Sequence, residues 1–205
     1  MSAEQVERRL AAILAVDVVG YSRLMGADEE GTLEHLKALR HELVDPKIAE
    51  HRGRIVKTTG GGLLVEFSSV VNAVRCAVAV QQAIPERNMA VEAANRIELR
   101  IGINLEDVIV EGDDLYGDGV NIAARIEALA DAGGVFVSNT VHDQVRDRLP
   151  FAFDDLGEQQ AISPPLGEGL THDETVASIL LSWSRKGKLI VFILTGDASR
   201  GLKRT

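Results

Sequence analysis

What this chain lacks narrows it first. It has one cysteine, Cys76, set in the apolar stretch VVNAVRCAVAV. An internal disulfide framework is therefore excluded, and a buried structural thiol is expected. There is no basic excess: 22 Lys/Arg stand against 31 Asp/Glu, a formal charge of −9. That balance argues against a general nucleic-acid binder, which would carry a basic face. An anionic ligand would have to be held by a few placed cations, backbone N–H groups and metal. The five histidines, His35, His41, His51, His142 and His172, show no metal-ligand spacing and read as surface or helix residues. The segment MSAEQVERRL is charged and has no secretory h-region. No uninterrupted apolar run approaches the ~18 residues of a membrane helix. No membrane segment and a cytoplasmic location are expected. No internal repeat is visible.

What is present suits a globular protein. The hydrophobic content is 45% and the charged content 26% over 205 residues, room for one well-cored domain of about 100–200 residues plus an extension. Residues 10–19 read as a buried strand, with a turn permitted at Gly20. Residues 28–51 carry helical periodicity through Leu33, Leu36, Leu39, Leu43 and Ile48, with Pro46 as a kink or interruption. RIVKT (54–58) and LLVEF (63–67) read as a hairpin around Gly60-Gly61-Gly62. A second apolar helix covers 69–84 and is expected to end at Pro85. Residues 97–103 and 107–110 read as two strands, with a turn at 112–114. A helix over 118–130 turns Val120, Ile122, Ala123, Ile126 and Leu129 inward. A strand at 134–138, a short helix at 139–147 and FAFDDLG complete the pattern. Helices alternating with hairpins predict an α+β fold. Its sheet is ferredoxin-like and mixed, mostly antiparallel, with helices packed mainly on one face.

The last 45 residues differ in character. Residues 161–205 hold six Lys/Arg and four Asp/Glu, a formal charge of +2, which leaves −11 on residues 1–160. Pro164-Pro165 and an isolated apolar run, LIVFIL at 189–194, break the preceding pattern. The run suits an added edge strand, or equally a poorly ordered tail. The expected organisation is one domain over 1–160 and an atypical tail over 161–205.

Four places can carry chemistry. Asp17 ends a strand beside a glycine turn, where a carboxylate and nearby backbone N–H groups can meet Mg²⁺ and phosphate; an acid before a turn is also commonly structural. Lys57 leads into the glycine hairpin, either as a functional cation or as a solvated lysine. Asn121 and Arg125 are four apart on one helix and share a face. An amide and a guanidinium together can bind a sugar oxygen and a phosphate. They can equally be a cap and a surface ion pair of Arg125 with Glu127 or Asp131. Asp114 can accept a hydrogen bond from a base amino group or merely solvate a turn.

The ordered set is more specific than its members. Asp17, Lys57-x-x-Gly60, Arg100 in LRIGI, and Asp114-x-x-Gly117-x-x-Val120-Asn121-x-x-x-Arg125 together resemble the class III adenylyl/guanylyl cyclase catalytic domain over about residues 8–160. FDDLGEQ at 153–159 fits as well. The resemblance implies that Asp17 and the Val18 backbone bind metal, Mg²⁺ or Mn²⁺, and that Val19, Gly20 and Tyr21 cradle the triphosphate. Lys57 and Asp114 would read adenine, a pairing that fits ATP rather than GTP. Asn121 would orient the ribose, Arg125 would stabilise transition-state charge, and Arg100 would support the phosphates. It also implies a head-to-tail dimer, with a copy of the chain or with another cyclase domain, whose sites form between the two domains.

The chain departs from that pattern in three places. Gly61 stands where the second metal-binding aspartate is expected, so a two-metal site would be incomplete. Turnover would be impaired, and the alternative is an inactive nucleotide-binding or dimerising module, or the partner of an intact cyclase. Glu106 replaces a usual glycine, where an acid would strain a turn or repel phosphate. AISPPLGEGL after Gln160 offers no basic residue for a phosphate contact.

Overall fold

The computed structural model describes residues 7–112, 114–159 and 189–197. Strand β1 (Glu7–Val18) lies inside an eight-stranded sheet. Its near-continuous apolar run has a direct cause: both faces of the strand are covered. Ala12, Leu14, Val16 and Val18 point into the main core, whereas Ala11, Ile13 and Ala15 point into a smaller core on the opposite face. Each fully buried Ile or Leu side chain here contributes about 1.5–3 kcal/mol.

After β1 come α1 (Tyr21–Ala27), α2 (Glu29–Leu39), a π-helical turn (Arg40–Val44) and α3 (Asp45–Glu50). The single helix expected over 28–51 is an unbroken helical run over 29–50 that carries a π-helical turn in its middle. Asp28 accepts a hydrogen bond from the Gly31 N–H and caps α2. Pro46 follows directly on the π-helical turn, at the start of α3, where the helical ladder is already irregular. The hairpin is β2 (Gly53–Thr59) and β3 (Gly62–Phe67).

Helix α4 (Val70–Met89) runs through Pro85 rather than ending there. Its last turn is tied to the rest of the fold. Asn88 Nδ2 donates to the Ile97 carbonyl, and Arg96 Nε donates to the carbonyls of Asn88 and Val91. These bonds offset the helical bond that proline removes. Cys76 is buried in α4, and burial pushes its thiol up to about 12.

The two strands expected on either side of residues 104–106 are one long strand, β4 (Leu99–Glu111). Glu106 therefore sits in no turn. Its carboxylate accepts from Asn104 Nδ2 (3.2 Å) and lies against Gly119, at the start of the next helix. That environment favours an acid. The turn expected over 112–114 includes Asp113, which lies outside the described residues. Then follow β5 (Asp114–Tyr116), α5 (Asp118–Leu129), β6 (Val135–Ser138), α6 (Asn139–Val145), β7 (Phe151–Gln159) and β8 (Leu189–Asp197).

The strand order is β2-β3-β1-β4-β6-β8-β7, with β5 paired to β4. Only the β4–β6 pair is parallel; the other pairs are antiparallel. The fold is α+β, as the sequence pattern implies. Strand β8 pairs with β6 on one side and β7 on the other, so the LIVFIL run is an interior strand and not an edge. A continuous apolar run suits such a place. The remainder of the expected tail, 161–188 and 198–205, lies outside the described residues.

Helix α5 lies on the face opposite α4 and docks on alternate residues of β4. At Gly102 the backbones nearly touch. A β-carbon added there would stand 2.2 Å from the Glu127 nitrogen and 2.5 Å from the Ala123 oxygen. Only glycine permits that approach. Gly102→Ala is therefore expected to destabilise the fold by at least about 1–3 kcal/mol, lowering the thermal midpoint by several degrees. A midpoint equal to wild type in a melting experiment would show that α5 is not seated on β4 as described.

Candidate functional site

The site begins at the end of β1. The β1–β4 register sets Asp17 directly opposite Arg100, and Arg100 Nη2 donates to Asp17 Oδ2 at 2.8 Å. The same guanidinium meets Glu127 of α5: Arg100 Nε faces Glu127 Oε1 as an ion pair without hydrogen-bond geometry. Glu127 is 8% exposed. Burial raises its carboxyl pKa to about 7; Arg100 works against the shift, and the Asp17 charge adds to it.

The turn after β1 is anchored by the Val19 N–H, which donates to the Glu98 carbonyl (2.9 Å). Gly20 adopts φ 68°, a conformation that other residues rarely take. Tyr21 then lays its ring across the tip of the glycine hairpin. A β-carbon built on Gly61 would lie 2.8 Å from Tyr21 Cγ and 3.1 Å from Tyr21 Cβ. Asp17 and residue 61 thus belong to neighbouring turns, but Gly61 has no ligand to offer. Among the described residues no group of three or more His, Cys, Asp or Glu could hold a metal ion. The residues present do not fit a two-ion site.

Lys57 reaches the same region through a break in strand alternation. Arg54 pairs with Glu66, and Ile55 with Val65, but Lys57 rather than Val56 pairs with Leu64. Val56 is the extra residue of a β-bulge. It turns Lys57 to the face that carries α5. Regular alternation from Arg54 would have turned Lys57 the other way. Asp17, Lys57, Leu64, Tyr116, Asn121 and Glu127 consequently line one cleft of about 440 Å³.

The other candidates are placed differently. Asp114 is exposed at the start of β5, where its carboxylate accepts from the Tyr116 hydroxyl (3.5 Å). Arg125 is buried, 7% exposed, and is not among the residues lining the cleft. Glu127, the ion-pair partner considered for Arg125, pairs with Arg100 instead. Sequence reasoning overlooked Glu127 as a site residue. A signal was available: it lies four residues after Ala123 on the inner stripe of α5, where an acid needs a partner. The bulge at Val56 left no sequence signal beyond the strand itself.

The Glu127 environment generates a prediction. In the unfolded chain this carboxyl ionises near 4.5; in the folded chain it keeps its proton until about 7. Between those values the folded state binds the extra proton, so this group makes stability fall as pH rises through that window. Urea unfolding across pH 4.5–7 is expected to show a shallower decline in Glu127→Gln than in wild type. An unchanged slope would contradict the assigned environment.

Comparison with known proteins agrees with the fold. The family model described as "Adenylate and Guanylate cyclase catalytic domain" matches residues 4–171. The "Putative adenylate cyclase 3" of Rhizobium meliloti is 53% identical over 157 residues, covering 77% of this chain and 27% of that protein. An "Adenylate cyclase" of Streptomyces coelicolor is 29% identical over 142 residues, covering 69% of this chain and 35% of that protein. The chain thus spans only about a quarter to a third of the length of these relatives. A crystal structure titled adenylate/guanylate cyclase/hydrolase, from Silicibacter pomeroyi, superposes with a TM-score of 0.76 at 40% identity, covering 94% of this chain and 100% of that one. The adenylyl cyclase CyaB from P. aeruginosa shares the fold with a TM-score of 0.71 at 18% identity, covering 97% of this chain and 100% of that one.

Proposed function

Because the chain belongs to the adenylate and guanylate cyclase catalytic domain family, we propose that it is an adenylate-cyclase domain. It converts ATP to 3′,5′-cyclic AMP and pyrophosphate, with reduced turnover. The observation that carries this reading is the bulge at Val56, which aims Lys57 into the cleft that Asp17 and Asn121 also line.

In this reading Lys57 and Asp114 recognise adenine. Lys57 donates to a ring acceptor, and the Asp114 carboxylate accepts from the amino group, a polarity that suits ATP. Asn121 holds the ribose so that its 3′ oxygen faces the α-phosphorus. That oxygen forms the new bond, its proton is lost, and the bond to pyrophosphate breaks. Arg125, buried and off the cleft lining in the single chain, is the residue that the family resemblance assigns to the charge developing on phosphorus-bound oxygens. The backbone of Val19, Gly20 and Tyr21 receives the phosphates, and Arg100 supports them by fixing Asp17. Mg²⁺ or Mn²⁺ is the proposed cofactor, with Asp17 and the Val18 backbone as its remaining anchor. A second domain, a copy of this chain or a related cyclase, docks on the open cleft face, where Tyr116 is 41% exposed, so that Asp17 and the β1 turn of one domain and Lys57, Asp114, Asn121 and Arg125 of the other serve one substrate.

The test is cyclic AMP formation from Mn²⁺-ATP by wild type beside Gly61→Asp. Even outer-shell partners of a metal are worth roughly 10–100-fold, so restoring a direct ligand is expected to raise product formation by at least that factor. Tyr21 must swing away to admit the new side chain, because a β-carbon at residue 61 falls 2.8 Å from its Cγ. Absence of product from both proteins, with the fold intact by circular dichroism, would refute the reading. One observation favours a heterodimeric role: Lys57 and Asn121 line the cleft although residue 61 is glycine. Mixing wild type with a Gly61→Asp/Lys57→Ala copy tests it. The mixture should exceed the summed activities of its components if each chain supplies the half that the other lacks.

A further inference from the structure

The turn at the end of β1 carries a cation that the roles above do not use. Arg23, on α1, folds back over Gly20: its Nε lies 3.4 Å and its Nη2 3.6 Å from where a β-carbon on Gly20 would stand. Two features of the turn allow this. Gly20 has no side chain, and its φ of 68° bends the backbone away. Arg23 is exposed, and it has no ion-pair or hydrogen-bond partner among the described residues. Arg100, by contrast, is committed to Asp17 and Glu127. The donor fork of Arg23 is therefore free beside the turn that begins at Asp17.

The missing carboxylate gives that cation a task. With glycine at 61, the hairpin tip anchors no second ion, so positive charge next to a polyphosphate has to come from a side chain. A guanidinium suits phosphate oxygens, because its N–H groups form a planar, bidentate donor set and it remains charged at any working pH. One carboxylate with one divalent ion and one guanidinium also carries the same formal charge as two carboxylates with two divalent ions.

We propose that Arg23 is a polyphosphate-binding residue, which grips the β- and γ-phosphates of a nucleoside triphosphate over Gly20 and takes the place of the second ion. The assignment of that polyphosphate to a nucleotide rests on the cyclase reading; the contact with phosphate does not. A charged hydrogen bond of this kind is worth about tenfold or more in affinity.

The experiment is calorimetric titration of the full chain in metal-free buffer with two probes, inorganic tripolyphosphate and ATP. Arg23→Ala is expected to weaken both by about tenfold or more, and Arg23→Lys, which keeps charge but loses the fork, by less. Arg148→Ala, another exposed arginine, in the turn that follows α6, should bind both as wild type does. Equal tripolyphosphate affinity in wild type and Arg23→Ala overturns the proposal. So does a wild type that binds no tripolyphosphate, and so does an equal loss in Arg148→Ala, which would reduce the effect to net charge. Lys57→Ala separates the two readings. If it leaves ATP binding unchanged while Arg23→Ala weakens both probes, the nucleotide reading fails and the phosphate contact stands.

Discussion

The contact of α5 with β4 at Gly102 is the constraint from which the site follows. A strand and a helix normally keep their backbones apart by the width of their side chains. Here they meet at van der Waals distance, so small rotations of α5 are blocked. The neighbouring residues on the same face of β4 then act as locators. Arg100 reaches Glu127 near one end of the helix, and Asn104 Nδ2 donates to the Gly119 carbonyl at the other (3.2 Å). Asn104 is buried, 3% exposed, so that bond also satisfies an amide that would otherwise be costly to bury. The position of Asn121 along the cleft follows from these contacts. So does the burial of Arg125.

The face that carries α5 gathers the charged groups, while the α4 face is almost wholly apolar. This segregation follows from the strand period of two. In β4, Arg100, Gly102, Asn104 and Glu106 share one face, and Leu99, Ile101, Ile103 and Leu105 pack on the other. In β3, Leu63, Val65 and Phe67 enter the main core, which leaves Leu64 and Glu66 on the cleft side. Glu66 is 7% exposed and is neutralised by Arg9 and Arg54. A buried acid on this face is thus tolerated only where arginine accompanies it, and Glu127 obeys the same rule.

Much of this was legible in the sequence, because most of it depends on period and punctuation. The apolar run of β1, the hairpin at the triple glycine and the amphipathic α5 each announce themselves. What escaped did so for identifiable reasons. Pro85 stops a helix only if nothing else holds the following turn, and Asn88 and Arg96 lie outside any local pattern of that helix. Residues 104–106 look like a break because polar groups interrupt the run. Those groups in fact face α5, and β4 continues beneath them. Lys57 lines the cleft although simple alternation turns it away, since a bulge of one residue cannot be seen in a seven-residue strand. The interior place of β8 is a matter of long-range pairing, which no window of local sequence encodes.

Under the proposed cyclase reading, glycine in place of a carboxylate at residue 61 changes more than the number of metal ligands. A site with two carboxylates repels polyphosphate until cations arrive, because acids and phosphates carry charge of the same sign. Here the only cleft acid at the β1 turn, Asp17, is already paired with Arg100. The second acid of that cluster, Glu127, is held largely protonated below about pH 7 by burial. The wall beside the turn is therefore close to neutral before any ion binds, and Arg23 tips it toward positive. The physical consequence of glycine at 61 is a shift in what the turn attracts first. A doubly acidic site gathers ions and then phosphate; this one can take phosphate with fewer ions. The placement of Lys57 and Asn121 in the cleft, set by the Val56 bulge and by α5 on β4, does not depend on that change.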